Sequence, residues 1–528
     1  MPSPPELIEA LVVPRSESGH CIYEAAAVDS GNIGDFQPSS GRRQTAGKRL
    51  RSLGFKVHDT GGPALIVRGP QALFEKVFGA RLVHRPHKSH SHGGVTTSYL
   101  EPEQTHLPGY ITVRAEHDSE LSQVVSGIAT PRPVHLFSKA AVSPVAPSVP
   151  YHHFTVPDGV ARAVNAVAAH RKGITGKGVA VAVCDSGVFP HPFFRAHGFK
   201  IRRMCTSFST DGAQDPSGHG TAVAANLLSV APGAHLISIK MNLGSGGASS
   251  ADAIDALQLA ARTRARVINC SWGQNIAEKS QYAADAVALG YVALWLSHTG
   301  RIVVAASGDY PRGDPKESGI YGWPAQHPTV IAAGGASIGP RGELTAASYA
   351  SGFTSLLYAA RYVPDVCGLC GDLPAGVLLM SPVTPGGAID TIAAQIPYPN
   401  GDDTKPDDGW ACFSGTSLAA PHISGAIALL LEANPAMCDT HLVRAALELT
   451  ARNVDRGTSN PNASHSKTPA RAHKGWNVAT GAGLLDAGRL VQVARAMAVA
   501  PSSKSAVSPS AHKRSSPASK KGSAKPRR

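Results

Sequence analysis

The chain has 528 residues, of which 42% are hydrophobic and 16% are charged, and its formal net charge is +13. This length is too great for one minimal domain and predicts two or three domains, or one large domain with attachments. No run in the sequence reaches the roughly 18 apolar residues that a membrane span needs, so no membrane-spanning segment is expected.

The positive charge is concentrated at the C-terminal end. Residues 501–528 carry eight Lys and Arg residues and no acid, which leaves about +5 for the other 500 residues. This segment of Ser, Pro, Ala and Lys has almost nothing to bury, and it predicts a disordered basic tail over 498–528. A solvated tail is the simpler interpretation. Binding of nucleic acid or another anionic surface is the alternative.

The start of the sequence shows no classical secretory signal. Its apolar stretch at 7–13 is short, is interrupted by an acid and is not preceded by positive charge. The default expectation is a cytoplasmic location, with secretion by another route or a misassigned start as alternatives. The eight cysteines do not decide the compartment, because three lie in apolar segments and Cys367 and Cys370 form a single C-x-x-C. We expect a structural role for them, with a disulfide or a metal as alternatives.

The N-terminal part of the chain predicts a small α+β module. In order, the pattern predicts a basic helix at 41–57, a strand at 64–67, a helix carrying Phe74, Val77 and Phe78 on one face, and a strand at 81–84. Strand, helix and strand joined by short connections are typical of such a module.

A histidine-rich segment follows this module and raises the question of a metal site. It has the sequence H-R-P-H-K-S-H-S-H and contains His84, His87, His90 and His92. We find no helix or strand signal here that would hold ligands in place, so the interpretation is a mobile loop and no metal site is assigned.

Spaced prolines among small residues at 140–153 indicate an extended linker. We therefore divide the chain into an N-terminal domain at 1–139, a linker at 140–157, a larger domain at 158–497 and the basic tail. Strands and helices alternate in the larger domain. The apolar runs that predict strands lie at 179–184, 236–241, 267–270, 302–306 and 330–333, with helical patterns at 222–230 and 251–264. Alternating βαβ units predict an α/β fold, a parallel sheet with helices on both faces.

Three short motifs in this domain carry chemistry. Asp185 stands in V-A-V-C-D-S-G, His219 in G-H-G-T, and Ser417 in G-T-S-L-A-A-P-H. Each motif alone is a modest signal, because a D-S-G is often a turn and a serine at a helix start is often only an N-cap. Together, in the order Asp, His, Ser, they predict a subtilisin-type charge system.

The residue types suit these roles. Asp185 ends a buried strand at the carboxyl edge, where open α/β sheets place their sites, and can orient a histidine. His219 is the predicted general base, which takes the proton of Ser417 and passes it to the leaving amine. Ser417 opens an apolar helix, whose dipole favours developing negative charge.

Over about residues 160–495 the chain resembles the subtilisin family, the subtilases. The resemblance implies a serine endopeptidase that acts on protein or peptide substrates through an acyl-enzyme and needs no cofactor for its chemistry. It also implies two cleft walls, which pair with an extended peptide, and an S1 pocket. By local motif the substrate-binding positions are Gly244, Gly246, Ser271, Trp272, Gly273, Ser307, Gly308 and Gly322. A glycine floor at Gly322 implies a roomy pocket for large apolar side chains, although Trp272 could narrow it.

Asp309 departs from the family pattern. The motif R-I-V-V-A-A-S-G-D ends in aspartate where subtilases have an asparagine that donates a hydrogen bond to the oxyanion. An ionised aspartate can only accept. Three interpretations stay open: a protonated Asp309 that donates and shifts activity toward acid, an oxyanion site that relies on backbone N–H groups, or a crippled enzyme.

The N-terminal stretch at about 5–130 resembles the activation prodomain of sedolisins, the kumamolisin group, which also use an aspartate at the oxyanion. On the motif A-L-I-V-R-G-P-Q-A-L-F-E-K-V-F-G-A-R-L, the resemblance implies a ferredoxin-like prodomain that acts as an intramolecular inhibitor. It also implies a zymogen that cuts itself in or just after 140–157. The alternative function is a catalytically weak scaffold of the same fold that binds peptides without turnover.

The long interval between His219 and Ser417 predicts insertions. One lies near 397–408 and contains Asp402, Asp403, Asp407 and Asp408. A solvated loop is the simpler interpretation. A calcium-binding or substrate-gating loop is the alternative, because structural calcium is common in the subtilases, although no acidic cluster here has convincing ligand spacing.

Overall fold

The computed structural model describes residues 7–25, 27–88, 96–104, 107–136, 139–140, 153–243, 247–309, 319–372, 376–395, 401–463 and 468–499. The N-terminal part contains the strands β1 (Leu7–Val12), β2 (Lys56–His58), β3 (Leu65–Pro70), β4 (Leu82–Lys88), β5 (Thr96–Pro102), β6 (Tyr110–Thr112), β7 (Gly127–Ala129), β8 (Pro133–Leu136) and β9 (Lys139–Ala140). Its helices are α1 (Ile33–Phe36), α2 (Ser40–Ser52), α3 (Gln71–Phe78) and α4 (Ser119–Val124).

The N-terminal module is an antiparallel sheet covered by helices. The strand order is β2-β3-β1-β7-β6, and a separate hairpin joins β4 to β5. Phe74 and Phe78 of α3 face the sheet, as their spacing predicts, and the ring of Phe74 packs 4.7 Å from that of Phe55. Gly79 ends α3 in the left-handed conformation, at φ +63°. The predicted α+β module is therefore confirmed, but the helix predicted at 41–57 ends at Ser52, and residues 56–58 form β2 instead.

The histidine-rich segment is more ordered than predicted. His84 and His87 lie on β4, whose register with β5 runs from Leu82 to Lys88, so the expectation of a loop is wrong for this half of the segment. The reason is pairing with the next strand of a hairpin, which the composition of this segment alone does not reveal. His90 and His92 lie outside the described residues.

The larger domain contains alternating strands and helices. Its strands are β10 (His153–Thr155), β11 (Ala180–Asp185), β12 (Ile201–Cys205), β13 (His235–Lys240), β14 (Ala248–Ser249), β15 (Ala265–Cys270), β16 (Trp272–Asn275), β17 (Ile302–Ala306), β18 (Gly322–Trp323), β19 (Val330–Ile338), β20 (Leu344–Ala346), β21 (Phe353–Thr354), β22 (Tyr362–Val363), β23 (Val366–Leu369), β24 (Leu378–Pro382) and β25 (Trp410–Ser414). Its helices are α5 (Asp158–Ala163), α6 (Val167–His170), α7 (Pro192–Ala196), α8 (His219–Val230), α9 (Ser250–Ala261), α10 (Ala284–His298), α11 (Ala388–Ala394), α12 (Thr416–Ala433), α13 (Thr440–Thr450) and α14 (Ala487–Val499), with 3-10 turns at Lys279–Gln281 and Pro461–Ala463.

The central sheet has the order β12-β13-β11-β15-β17-β19-β20, with β23 also paired to β19. All of these pairs are parallel except β19 with β20. Alternate residues of β11 enter two different cores. Val181 and Val183 pack with α8 and α12, whereas Ala182 and Cys184 pack with α9 and α10. Helices therefore cover both faces, and the predicted α/β fold is confirmed.

Helix α12 runs through the middle of the larger core. Within the described part of the chain it is the one helix long and apolar enough to cross a membrane, and 89% of that window is buried inside the protein. A buried core helix meets the same criterion. All eight cysteines are free thiols, so no disulfide is formed.

The N-terminal module packs on α9 of the larger domain. His58 Nε2 lies 3.1 Å from Asp255 Oδ1, and the Gln258 side chain accepts from the Ala64 N–H at 3.0 Å. Arg68 of the module lies over the ring of Phe208, 4.1 Å from its centroid. These contacts hold the module against one end of the sheet and lead its last strands toward the motif residues.

Candidate active site

The structure brings Asp185 and His219 together. Asp185 is the last residue of β11, and His219 is the first residue of α8. His219 Nδ1 lies 2.8 Å from Asp185 Oδ1, and this oxygen also accepts from the Ser186 N–H at 2.8 Å. Both side chains are almost completely buried. In this geometry the carboxylate can hold the ring with Nε2 directed away from it.

A second buried carboxylate, Asp215, shapes the turn before His219. Its oxygens accept hydrogen bonds from the hydroxyls of Ser186 and Thr221, at 2.7 and 2.6 Å, and from the backbone N–H groups of Gly218 and Thr221, at 3.0 and 2.8 Å. Asp215 thereby caps the start of α8. Asp215 lies outside the three motifs predicted above, although an Asp before a glycine-flanked helix start is an N-terminal capping signal.

The carboxylates act on the histidine electrostatically. Burial favours the neutral ring and is the largest single influence, but the combined effect of Asp185, Asp215 and Asp309 outweighs it and raises the pKa of His219 above its usual value. The imidazolium that forms when a base takes a proton is therefore stabilised. The same shift means that more of the histidine is already protonated, and unable to act as a base, at mildly acid pH.

Ser417 is held at the start of α12 by the neighbouring strand segment. Its Oγ donates to the Ser271 carbonyl at 3.0 Å, and the Ser271 hydroxyl donates to the Ser417 carbonyl at 2.8 Å. Asn269 donates in turn to the Ser271 hydroxyl at 2.9 Å. His219 Nε2 is buried and has no hydrogen-bond partner among the described residues. For the predicted trio to act, this nitrogen must take the proton of Ser417, and catalytic hydrogen bonds of this kind often form only with substrate bound.

Asp309 lies beside the N-terminus of the same helix. Its two carboxyl oxygens accept from the Thr416 N–H, at 3.0 and 3.1 Å. A carboxyl group here complements the positive end of the α12 dipole. An asparagine could accept the same bond through its oxygen and keep its NH₂ group as a donor, whereas Asp309 needs a proton of its own to donate.

One predicted wall, at 271–273, and β14, which directly follows the other predicted wall at 243–247, flank a strand of the N-terminal part. β8 pairs antiparallel with β14 on one side and with β16 on the other. Gly273 belongs to β16 and Ser271 directly precedes it, as predicted for one wall. Gly244 and Gly246 lie outside the described residues.

The expectation that Trp272 narrows the S1 pocket is wrong. Its side chain is completely buried in the core, and its indole N–H donates to the Cys184 carbonyl at 2.7 Å. Successive side chains of a strand point to opposite faces. Trp272 therefore contributes its backbone to the wall of the cleft. Its side chain stabilises β11 through the hydrogen bond to the Cys184 carbonyl.

Sequence comparison with known proteins shows to which family the chain belongs. The sequence profile described as "Subtilase family" matches residues 176–483. The chain belongs to the subtilase family. It is 28% identical over 315 residues to Subtilisin Savinase of Lederbergia lenta, which covers 57% of this chain and 94% of that protein. It is 29% identical over 315 residues to Alkaline elastase YaB of Bacillus sp. (strain YaB), over 58% of this chain and 67% of that protein.

A solved structure supports the subtilase fold independently. Fervidolysin from Fervidobacterium pennivorans, described as a keratinolytic enzyme related to subtilisin, superposes with a TM-score of 0.54 at 17% identity. The match covers 93% of this chain and 62% of the fervidolysin chain, so the present chain spans about three fifths of that protein's length. With these relatives, the present subtilase is a serine endopeptidase whose substrates are proteins or peptides.

The predicted S1 residues of the subtilase are brought together by close backbone packing. The Gly322 N–H donates to the Ser307 carbonyl at 3.1 Å, and a Cβ on Gly322 would lie 2.4 Å from that oxygen. Gly308 has φ +115°, and its N–H donates to the Thr416 hydroxyl at 3.3 Å. Both glycines are thus required by the backbone. The predicted S1 pocket is therefore linked by a hydrogen bond to Thr416, the residue that precedes Ser417.

The acidic loop of the subtilase uses its buried aspartate to form hydrogen bonds within the protein. Asp402 is buried, contrary to the solvated-loop interpretation, and its oxygens accept from the backbone N–H and hydroxyl of Thr404 and from the Cys412 N–H. Asp403, Asp407 and Asp408 are exposed. Within the described ranges, no group of three or more His, Cys, Asp and Glu side chains could hold a metal ion. Asp402 therefore closes a turn onto β25.

Proposed function

We propose that this serine endopeptidase cleaves peptide bonds with Asp185, His219 and Ser417 as its catalytic triad. The observation that carries the proposal is the 2.8 Å contact between His219 Nδ1 and Asp185 Oδ1, together with the position of Ser417 in the first turn of α12. Ser417 Oγ attacks the carbonyl carbon, and His219 takes its proton and transfers it to the leaving amine. Water then hydrolyses the acyl-enzyme with His219 again as the base.

A covalent probe separates this proposal from a scaffold that binds peptides without turnover. An active-site-directed organophosphonate should label the wild-type protein at one residue, Ser417, and the Ser417→Ala variant should take up none. Ser424→Ala, on the same helix, is the matched control and should label as the wild type does. A folded wild-type protein that binds peptides but does not react with the probe would favour the scaffold.

We further propose that the protein is made as a zymogen, with residues 1–139 as its inhibitory prodomain and 158–497 as the peptidase. Two observations support this. Asp185, His219 and Ser417 are each at most 1% exposed, and β8 of the N-terminal part lies between the two walls where substrate would pair. An extended strand held by both walls gives affinity through main-chain hydrogen bonds. While it is in place, no other chain can enter the cleft.

The oxyanion site is the point at which this enzyme is proposed to differ from other subtilases. We propose that Asp309 donates to the oxyanion only while it is protonated, whereas His219 accepts a proton only while it is neutral. These requirements oppose each other. The expected rate profile is a bell, whose acid limb follows the raised pKa of His219 and whose alkaline limb follows loss of the Asp309 proton.

The Asp309→Asn variant should lose the alkaline limb. Its amide donates at every pH, so kcat at pH 8 to 9 should rise by a factor on the order of 10²–10³ over the wild type. The measurement is kcat on a peptide substrate from pH 4 to 9, with Asp403→Asn as the matched surface control. A wild-type rate that climbs steadily to pH 9 would refute the role of the Asp309 proton.

A further inference from the structure

The strand that occupies the cleft has a defined register on both walls. On β14, Ala248 pairs with Val134 and Ser249 with Pro133. On β16, Gly273 pairs with His135 and Trp272 with Leu136. Both pairings are antiparallel, so each step forward along β8 is one step backward along β16. The next position on this wall after Trp272 is Ser271.

Ser271 marks the location of the nucleophile. Its carbonyl accepts the hydrogen bond from Ser417 Oγ at 3.0 Å, and its hydroxyl donates to the Ser417 backbone. The wall position reached after Leu136 is thus the one in direct contact with Ser417. The register of β8 on this wall therefore runs toward the catalytic serine.

A second register locates the other side of the same bond. β9 pairs antiparallel with β25, Lys139 with Ser414 and Ala140 with Phe413. Ser414 lies three residues before Ser417, on the strand that leads into α12. β8 and β9 therefore approach the nucleophile from opposite sides. Two residues of sequence, Phe137 and Ser138, join them, and these two lie outside the described residues.

We propose that the zymogen cuts itself between Phe137 and Ser138, an inference that rests on the proposed peptidase function. Ser417 Oγ attacks the Phe137 carbonyl carbon and its proton passes to His219. The bond to the Ser138 nitrogen breaks as His219 protonates that amine, and water hydrolyses the ester on Ser417. The products are a 1–137 fragment ending in a carboxylate and a 138–528 chain beginning with an amine.

The cut lies earlier than the 140–157 linker that the sequence analysis favoured. The prolines of that segment suggested a linker, but β9 is paired with β25 up to Ala140, where the segment begins. Strand pairing changes register only in steps of whole residues, and a step of one residue reverses the face to which each position of a strand points. The register of β8 therefore defines the position of the bond.

The same register predicts specificity. The residue on the carbonyl side of the bond is phenylalanine, and the predicted S1 residues Ser307, Gly308 and Gly322 have little side-chain bulk of their own. The enzyme should therefore cleave substrates after large aromatic residues. A peptide with the chain's own sequence, Val-His-Leu-Phe-Ser-Lys, should be cut between Phe and Ser.

Mapping the new terminus tests the proposal. The full chain is expressed as wild type and as Ser417→Ala, and N-terminal sequencing and intact mass locate the cut. The wild type should yield a chain that begins at Ser138, and Ser417→Ala should stay uncut. Phe137→Asp should slow processing by about 100-fold, because a charge replaces an apolar group in a buried pocket. Phe137→Leu should restore it, and Val142→Asp, in the linker, should process at the wild-type rate.

The outcomes distinguish the two proposals. Wild-type protein that hydrolyses the peptide and labels with the organophosphonate, yet begins at a residue in 139–157, would overturn the assignment of the bond and leave the peptidase intact. Protein that neither labels nor hydrolyses any peptide would overturn the peptidase function. Labelling of purified Phe137→Asp after cleavage by added wild-type enzyme or another protease would show that the variant folds.

Discussion

Replacing His219 with alanine is expected to lower kcat by a factor on the order of 10⁶. Without the imidazole, the Ser417 hydroxyl keeps its proton at neutral pH and the leaving amine has no acid to protonate it. The same variant should remain a full-length chain. The measurement is kcat on a peptide that carries a chromogenic leaving group, with the length of the purified protein followed by mass.

The loss in His219→Ala should not add to that in Ser417→Ala. Both side chains act in one proton transfer, so the double variant should be no slower than either single variant. His235→Ala, at the exposed start of β13, is the matched control and should keep full activity. An His219→Ala protein that keeps even a hundredth of the wild-type kcat would mean that another base serves Ser417.

Replacing Asp185 with asparagine is expected to lower kcat by a factor on the order of 10⁴. The amide can donate to His219 Nδ1, which stabilises the tautomer with its proton on Nε2 and leaves no lone pair for Ser417. Asp185 also contributes to the raised pKa of His219. The residual activity should therefore persist to lower pH than in the wild type.

The measurement for Asp185→Asn is the pH profile of kcat, with Asp403→Asn as a control on an exposed carboxylate. Thermal unfolding should be followed in parallel, because Asp185 also accepts from the Ser186 N–H. A variant that folds normally and keeps the wild-type kcat and profile would contradict the assignment of Asp185.

The architecture of the larger domain could be predicted because each of the predicted strands is a short, continuous run of apolar residues. Val181 and Val183 pack on one face of β11 and Ala182 and Cys184 on the other, so a strand buried on both sides is apolar throughout. The trio could be predicted because glycines and small residues surround each member at short range. Residues that lie within one short motif could therefore be predicted from the sequence alone.

Features that depend on contacts between residues far apart in the sequence could not be predicted from the sequence. Asp215 joins Ser186 to Thr221, and its role becomes visible only when β11 and α8 meet. Trp272 was assigned to the pocket because local motif does not reveal to which face a strand residue points. The place of β8 in the cleft follows from pairing with residues more than a hundred positions away, for which sequence spacing carries no signal.

The position of β8 between β14 and β16 would make the proposed latency depend on protein concentration. After the proposed cut, the N-terminal fragment would be held without a covalent bond, by strand pairing and by contacts such as that of His58 with Asp255. A bound fragment then obeys mass action, so that dilution releases it and a high protein concentration keeps it in place. Enzyme kept at high concentration would stay inhibited and would become active on dilution. Digestion of the freed fragment would make that release irreversible.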